Sequence, residues 1–336
     1  MKKFAFLIHP RASLREDMGK VFPLFKFLPE KFLEWMVKCL NPMARGKVIF
    51  SGSKEVAGWI IVVPLSARQF FSLPRDFVVK KIIKAVEMAK KMGVEVVGLG
   101  ELTSPVTHGG ENLKAKIDGV AITTGNSLTA AIAVKVIEKI NNIRSLDIVK
   151  EKIAIIGAGG SIGKGASFLL AQKGASLILV EKEEKIEALK KIFSSYANVR
   201  VEKDISFIKE AEIVVVTTSS TEQIIKSDYL KQGAIVYDIT QPRNTSPDIL
   251  TERKDVTIID GGVIDTPKID YGMNIGLKKN QAYACLVETM ICAMEGDGES
   301  HTGYTTPESA RKMFSLMGKY QDYFKINISQ SFGKSL

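Results

Sequence analysis

Cysteine, histidine and tryptophan are scarce in this chain, with three, three and two residues in 336. Cys39, Cys285 and Cys292 are too few and too irregularly spaced for a disulfide framework or a zinc site. No metal is therefore expected, and a reducing compartment fits. No long uncharged apolar run occurs, which argues against a transmembrane helix. The apolar stretch Phe4–Ile8 is too short for the core of a secretory signal and reads as a first strand, so the expected location is the cytoplasm. Internal repeats and low-complexity segments are also missing. The basic excess, a net charge of +10, is not gathered into a tail or an aromatic-interleaved cluster, so no nucleic-acid partner is expected. A lysine-rich solvated surface is its plainest reading. Such a surface also steers an acidic partner or holds weakly to an anionic membrane.

What is present is more telling. Lys152–Gly163 reads KIAIIGAGGSIG. An apolar run, Ile153–Ile156, suits a buried strand, and the run Ala166–Ala171 suits a helix. Between them lie Gly157, Gly159, Gly160, Ser161, Ile162 and Gly163. Strand, glycine-rich turn and helix in that order present backbone N–H groups and a helix N-terminus to a diphosphate. A second strand, Ser176–Val180, ends at Glu181, placed to accept hydrogen bonds from a ribose 2′-hydroxyl. Glu181 favours NAD by repelling a 2′-phosphate, and Lys182 beside it opposes that preference. Thr217 and Thr218, at the end of the strand Ile213–Thr217, complete the expected cofactor set.

The surrounding pattern is α/β, with an N-terminal α/β substrate domain (1–146), a doubly wound Rossmann-type domain (147–270) and C-terminal helices (271–336) expected to pack back on the first domain. Strands are expected at Phe4–Ile8, Gly58–Leu65, Val94–Leu99 and Val120–Ile122. Helices are expected at Arg75–Met92 and at Thr129–Ile140, the latter capped by Ser127 or Thr129. Strands at 152–156, 176–180, Ile213–Thr217, Ala234–Asp238 and Val256–Ile259 form the second sheet, with helices near 161–173 and 184–194. Gln281–Met294 and Pro307–Tyr323 are the last two helices. The segment 21–40, VFPLFKFLPEKFLEWMVKCL, reads first as core-facing helix and loop, and otherwise as a greasy lid or interfacial segment for a lipid-like chain.

Four stretches hold residues able to do chemistry. TTGNS (123–127) lies between a strand and a helix, where Thr124 and Asn126 can face a substrate carbonyl or simply cap the helix. The long polar loop GLGELTSPVTHGGEN (98–112) carries His108. In DITQPRNTSP (238–247), Arg243 is placed to meet an anion or to pair with Asp248. In YACLVE, Cys285 near a helix N-terminus is expected to have a lowered pKa, with Glu288 on the same helical face. Cys292 lies two turns further on, and spacing alone does not choose between the two cysteines.

Taken together, GLGELTSPVTHGGENL, ITTGNSLTA, IAIIGAGGSIG, DITQPRN and YACLVETM resemble the long-chain acyl-(acyl-carrier-protein) reductase family, itself similar to shikimate dehydrogenase-like and amino-acid dehydrogenase-like proteins. The resemblance runs from about Val94 to Gly296. It implies reduction of a fatty acyl thioester to the aldehyde with NADPH, through an acyl group on Cys285. It also implies an acyl thioester, carried by acyl carrier protein or coenzyme A, as partner. Thr124, Asn126 or the N–H groups at the helix start are the oxyanion donors expected on this reading. Two other readings remain open. One is a dehydrogenase of the shikimate or amino-acid type, acting on a small oxo or hydroxy acid by direct hydride transfer. The other is a dinucleotide-binding protein without turnover. The sequence is compatible with a homo-oligomer and does not set its size.

Overall fold

A computed structural model describes residues 2–10, 14, 15, 18, 23–51, 55–220, 222–241, 243–296 and 298–336. Val21 and Phe22 of the greasy segment and Pro242 of the DITQPRN loop lie outside the described residues. The chain forms two compact units. The first comprises Met1–Gly125, Thr266–Gly303 and Asp322–Phe324; the second comprises Asn126–Asp265, Tyr304–Gln321 and Lys325–Leu336. The chain thus passes from one unit to the other at Gly125, some twenty residues before the boundary expected from sequence.

In the first unit, β1 (Lys2–Ile8), β2 (Met43–Ser51), β3 (Glu55–Val62), β4 (Val96–Leu99) and β5 (Ala121–Thr123) lie in one sheet. Its order is β2-β3-β1-β4-β5, with a short strand, Ile269–Asp270, on the outer edge of β2. Strands β3, β1, β4 and β5 are parallel, and β2 runs antiparallel to β3. Parallel strands are covered on both faces, which explains their near-continuous apolar runs. The sequence reading has no strand at Met43–Ser51. That strand alternates, with Val48 and Phe50 buried and Lys47 and Ile49 exposed, as an edge-side antiparallel strand does. Helices α1 (Glu30–Cys39), α2 (Ala67–Ser72) and α3 (Arg75–Lys91) belong to this unit. The buried stripe of α3, Val78, Ile82, Ala85, Val86 and Ala89, recurs with helical spacing, and it packs in the sheet's core with Leu7, Ile61 and Val97.

The second unit holds α4 (Asn126–Arg144), β6 (Lys152–Ile156), α5 (Ser161–Ala171), β7 (Ser176–Val180), α6 (Glu183–Phe193), β8 (Val199–Glu202), β9 (Ile213–Val216), β10 (Ile235–Asp238) and β11 (Thr257–Asp260). Its sheet is parallel throughout, in the order β11-β10-β9-β6-β7-β8. This is the doubly wound order, and the strand sequence reverses direction between β6 and β9. In sheets of this kind ligands are expected beyond the carboxyl ends of those two strands. Helix α4 begins at Asn126 rather than Thr129. Ser127 hydrogen-bonds Ser309 at 3.0 Å and does not cap the helix.

Of the two C-terminal helices, α7 (Ala284–Glu295) belongs to the first unit. The second, α8 (Pro307–Gly318), instead lies in the second unit, against α4 and α5. A capping box, in which Thr306 accepts from the Ser309 N–H and Ser309 from the Thr306 N–H, starts α8. Among the described residues no helix is long and apolar enough to cross a membrane.

Candidate functional site

In the second unit the glycine turn is built by close approach. Gly157 has φ +81°, and a Cβ there would come within 2.8 Å of the Thr218 nitrogen. A Cβ at Gly163 would lie 2.6 Å from the Thr217 hydroxyl. Only glycine lets the end of β6, the first turn of α5 and the end of β9 close to this distance. Thr217 secures the approach by donating to the Ile156 carbonyl at 2.8 Å. The N-cap of α5 is Gly160, and no side chain caps the helix. The first turn of α5 holds Ser161, Ile162 and Gly163, the residues expected from sequence to receive an anion. Ser161 turns its hydroxyl to Thr305, whose N–H donates to it at 3.0 Å.

Glu181 is buried at the end of β7. One carboxylate oxygen accepts the Gly159 N–H at 2.8 Å, and the other accepts the Lys182 N–H at 2.9 Å. A carboxylate has about four acceptor sites, so two remain for ribose hydroxyls. The glycine cradle and this acid fit a dinucleotide. Lys182 and Lys185 are exposed, and the Lys185 ammonium lies 4.0 Å from Glu181. Burial, with a smaller contribution from Lys185, lowers the pKa of Lys164. Glu181→Ala is expected to raise the ratio of NADPH to NADH affinity about tenfold, the worth of a hydrogen bond to a charged group. Titration of cofactor fluorescence with each dinucleotide reads it, and an unchanged ratio would show that Glu181 only braces the turn.

In the first unit, residues from three strand ends meet the start of α7. Cys285 is the second residue of α7, whose N-cap Tyr283 provides no side-chain cap. The cysteine is half-buried. It sits directly on Gly125, where a Cβ would overlap its Cα and Cβ. Gly125 has φ +71°, so the turn after β5 needs glycine on both counts. One turn along α7, Glu288 is fully buried; its Oε1 accepts from the Thr123 hydroxyl and from the Gly125 N–H at 3.1 Å. Thr289 donates to the Cys285 carbonyl at 2.9 Å and fills the space left by the missing side chain of Gly98 on β4. Just beyond β4, Glu101 adopts φ +53°. Its Oε2 accepts the His9 N–H at 3.1 Å and lies 3.4 Å from His9 Nε2. His9, at the end of β1, is buried against the Phe70 ring, with Nδ1 2.8 Å from the Pro10 carbonyl oxygen.

The electrostatics reverse one expectation. The Cys285 thiol is not lowered but pushed up to about 12. Burial is the largest cause, and the negative charges of Glu101 and Glu288 add to it; a hydrogen bond from the Leu286 N–H opposes them without prevailing. Cys285 does lie in the first turn of a helix, but burial and the charges of two carboxylates outweigh that position.

The other expected residues are placed as follows. Thr124 is buried, and its N–H donates to the His301 carbonyl at 3.2 Å. Asn126 opens α4. Cys292 is buried in the core, Cys39 is exposed, and His108 is exposed. Arg243 pairs with Asp260 at 3.0 Å and stacks on Phe332, not with Asp248. Asp238 organises its loop by accepting from Thr240, Asn244 and Thr245. Sequence reasoning did not single out Glu101, His9 or Thr123. Glu101 lies in the long polar loop already marked as functional, but no spacing rule connects it to Cys285.

Residues 138–260 match the family model described as shikimate / quinate 5-dehydrogenase. The chain is 28% identical over 313 residues to an aminotransferase, PigE, of a Serratia species, covering 89% of this chain and 36% of that protein. It therefore spans about a third of that relative's length. It is 24% identical over 268 residues to a long-chain acyl-[acyl-carrier-protein] reductase of Synechococcus elongatus, covering 75% of each. Among solved structures, an L-tryptophan dehydrogenase of Nostoc punctiforme aligns over 96% of this chain and 84% of its own, with 12% identity and a TM-score of 0.42. That score adds nothing to the topology described above. The family match and the reductase relative, with the doubly wound sheet and its glycine turn, support an NAD(P)-binding protein of the oxidoreductase type.

Proposed function

We propose that this chain reduces an acyl thioester to an aldehyde with NAD(P)H, using Cys285 as the nucleophile. The observation that carries the reading is a half-buried cysteine seated on the Gly125 turn at the start of α7, with the charges of Glu101 and Glu288 acting on its thiol. A neutral thiol needs a base at the moment of attack. Glu288 is committed to Thr123 and Gly125 and holds the turn against α7. Glu101 is therefore the group assigned to the proton.

The steps balance. The Cys285 S–H proton passes to Glu101 as sulfur attacks the acyl carbonyl. The carrier thiolate leaves and takes that proton from Glu101, so the acyl group is now on Cys285. A reduced dinucleotide, which the Gly157–Gly163 turn and Glu181 would hold, would supply the hydride that the acyl carbon needs. The resulting oxyanion is stabilised by the N–H groups at the start of α7 and by Thr124 or Asn126. Collapse breaks the carbon–sulfur bond, releases the aldehyde and returns a thiolate that takes up a proton. A high-pKa thiolate is a poor leaving group, so protonation through Glu101 assists this step as well. Acyl carrier protein and coenzyme A are both anionic, and the net charge of +10 favours their approach.

The match over residues 138–260 favours a second reading, direct hydride transfer to or from a small oxo or hydroxy acid. On that reading Cys285 only packs. The intact mass of the protein after incubation with a long-chain acyl thioester, without nicotinamide, separates the two. An acyl adduct on the wild type that Cys285→Ala lacks is the expected result. No adduct on either protein would discard the thioester reading and turn the search to oxo acids.

A further inference from the structure

Helix α1 is amphipathic in an unusual sense. Leu33 and Val37, one turn apart, form its buried stripe and pack against Leu14. Diametrically opposite them on the helix lies Trp35, 61% exposed. Phe32 is beside it, the two ring centroids 5.8 Å apart, and is also exposed. The turn that leads into the helix, Pro23–Phe27, adds Leu24 at 69% and Phe27 at 86% exposure. Four large apolar side chains thus stand in solvent within twelve positions of one chain segment, where single exposed residues would be ordinary.

The charges around them are sorted by sign. Lys31 and Lys38 flank Trp35 at i−4 and i+3, and exposed Lys26 lies in the turn; the Lys38 ammonium lies over the Phe77 ring, 5.6 Å from its centroid, while its side chain stays exposed. Neither Lys26 nor Lys31 has an ion pair among the described residues. The segment's two acids are directed elsewhere: Glu30 accepts from the Leu14 N–H at 2.7 Å, and Glu34 pairs with Arg68 at 2.8 Å and accepts from Ser66. What remains facing solvent is aromatic, aliphatic and cationic.

We propose that the Pro23–Phe27 turn and the outward side of α1 bind the surface of an anionic lipid bilayer. Leu24, Phe27, Phe32 and Trp35 enter the interfacial zone. Lys26, Lys31 and Lys38 extend to acidic headgroups, their long stems letting the ammonium groups stay in water. The chemistry fits a bilayer better than a folded partner. A protein interface sets hydrogen-bonding rim residues and shape around its apolar centre, whereas here Phe27 projects 86% exposed, Phe32 and Trp35 stand exposed side by side, and among the described residues of the segment the charges without an ion pair or hydrogen bond are cationic. The proposal stands apart from the reductase reading, since it uses no residue of that site.

The chain's two tryptophans, Trp35 and Trp59, make the test direct. In a Trp59→Phe variant of the full chain, emission reports Trp35 alone. With vesicles of equal parts phosphatidylcholine and phosphatidylglycerol, a blue shift and co-sedimentation are expected, both weakened by added salt. Phe27→Ser and Lys31→Glu/Lys38→Glu are each expected to reduce the partition coefficient at least about tenfold. Dinucleotide binding should persist in both variants, since all three side chains are exposed. Absence of binding to these vesicles would overturn the proposal, as would binding that neither variant weakens. Concentration-dependent self-association abolished by Phe27→Ser, without vesicle binding, would also overturn it and assign the face to a second copy of the chain.

Discussion

Glu101→Gln is expected to move two properties of Cys285 in opposite directions. The thiol is pushed up to about 12 partly by the charge of Glu101. Removing that charge lowers the thiol's pKa, so more thiolate exists at any given pH. Alkylation by iodoacetamide, which needs only thiolate, becomes faster at neutral pH. Acyl transfer from a thioester, which on the proposed mechanism needs a proton acceptor beside the sulfur, becomes slower by about a hundredfold, the usual contribution of a positioned base. The sign of the second effect decides the role. If Glu101 only repels the thiolate, alkylation and acylation both accelerate. The pH profile adds a check: wild-type alkylation of Cys285 climbs far into the alkaline range, and the variant's profile inflects at lower pH. Cys39, exposed and remote in sequence, supplies the internal reference, and peptide mapping separates the two. A wild type that never acylates but alkylates as described would remove the thioester reading while leaving the electrostatic one intact.

That contrast also marks how far the sequence alone reached. The second sheet was legible because each parallel strand is a short apolar run bounded by turn residues, and Gly157, Gly163 and Glu181 follow a local grammar of strand, turn and helix. The position of Cys285 at a helix start was legible for the same reason. Its chemistry was not, because Glu101 reaches it through the order of strands β1 and β4 in the sheet, and strand order is a long-range property. The start of α4 was misjudged for a related reason. Asn126 and Ser127 have the composition of a cap, but Ser127 is engaged by Ser309, a residue distant in sequence. Arg243 shows the limit from the other side: Asp248 was the near acid, yet Asp260, brought alongside at the end of β11, is the partner.

Gly125→Ala is expected to damage the first unit more than its single methyl group suggests. Two costs add. The φ of +71° places an L-residue in the left-handed region, at about 1 kcal/mol. The new Cβ would also overlap the backbone and Cβ of Cys285, and overpacking of this kind costs about 1–3 kcal/mol more. Gly174→Ala separates the two terms. Gly174 has nearly the same backbone, φ +76°, with nothing within 4 Å of the position its Cβ would take. The difference between the two variants in denaturant unfolding therefore reads the steric term alone. If the variants lose equal stability, Cys285 does not press on the turn and the geometry assigned to the site is wrong. The functional consequence is sharper than the stability loss. Glu288 holds the Gly125 N–H and the Thr123 hydroxyl together, and Cys285 lies across that clamp. Displacing the turn moves the thiol relative to both carboxylates, so acyl transfer should fall in Gly125→Ala even at temperatures where the variant is fully folded, while dinucleotide binding by the second unit is retained.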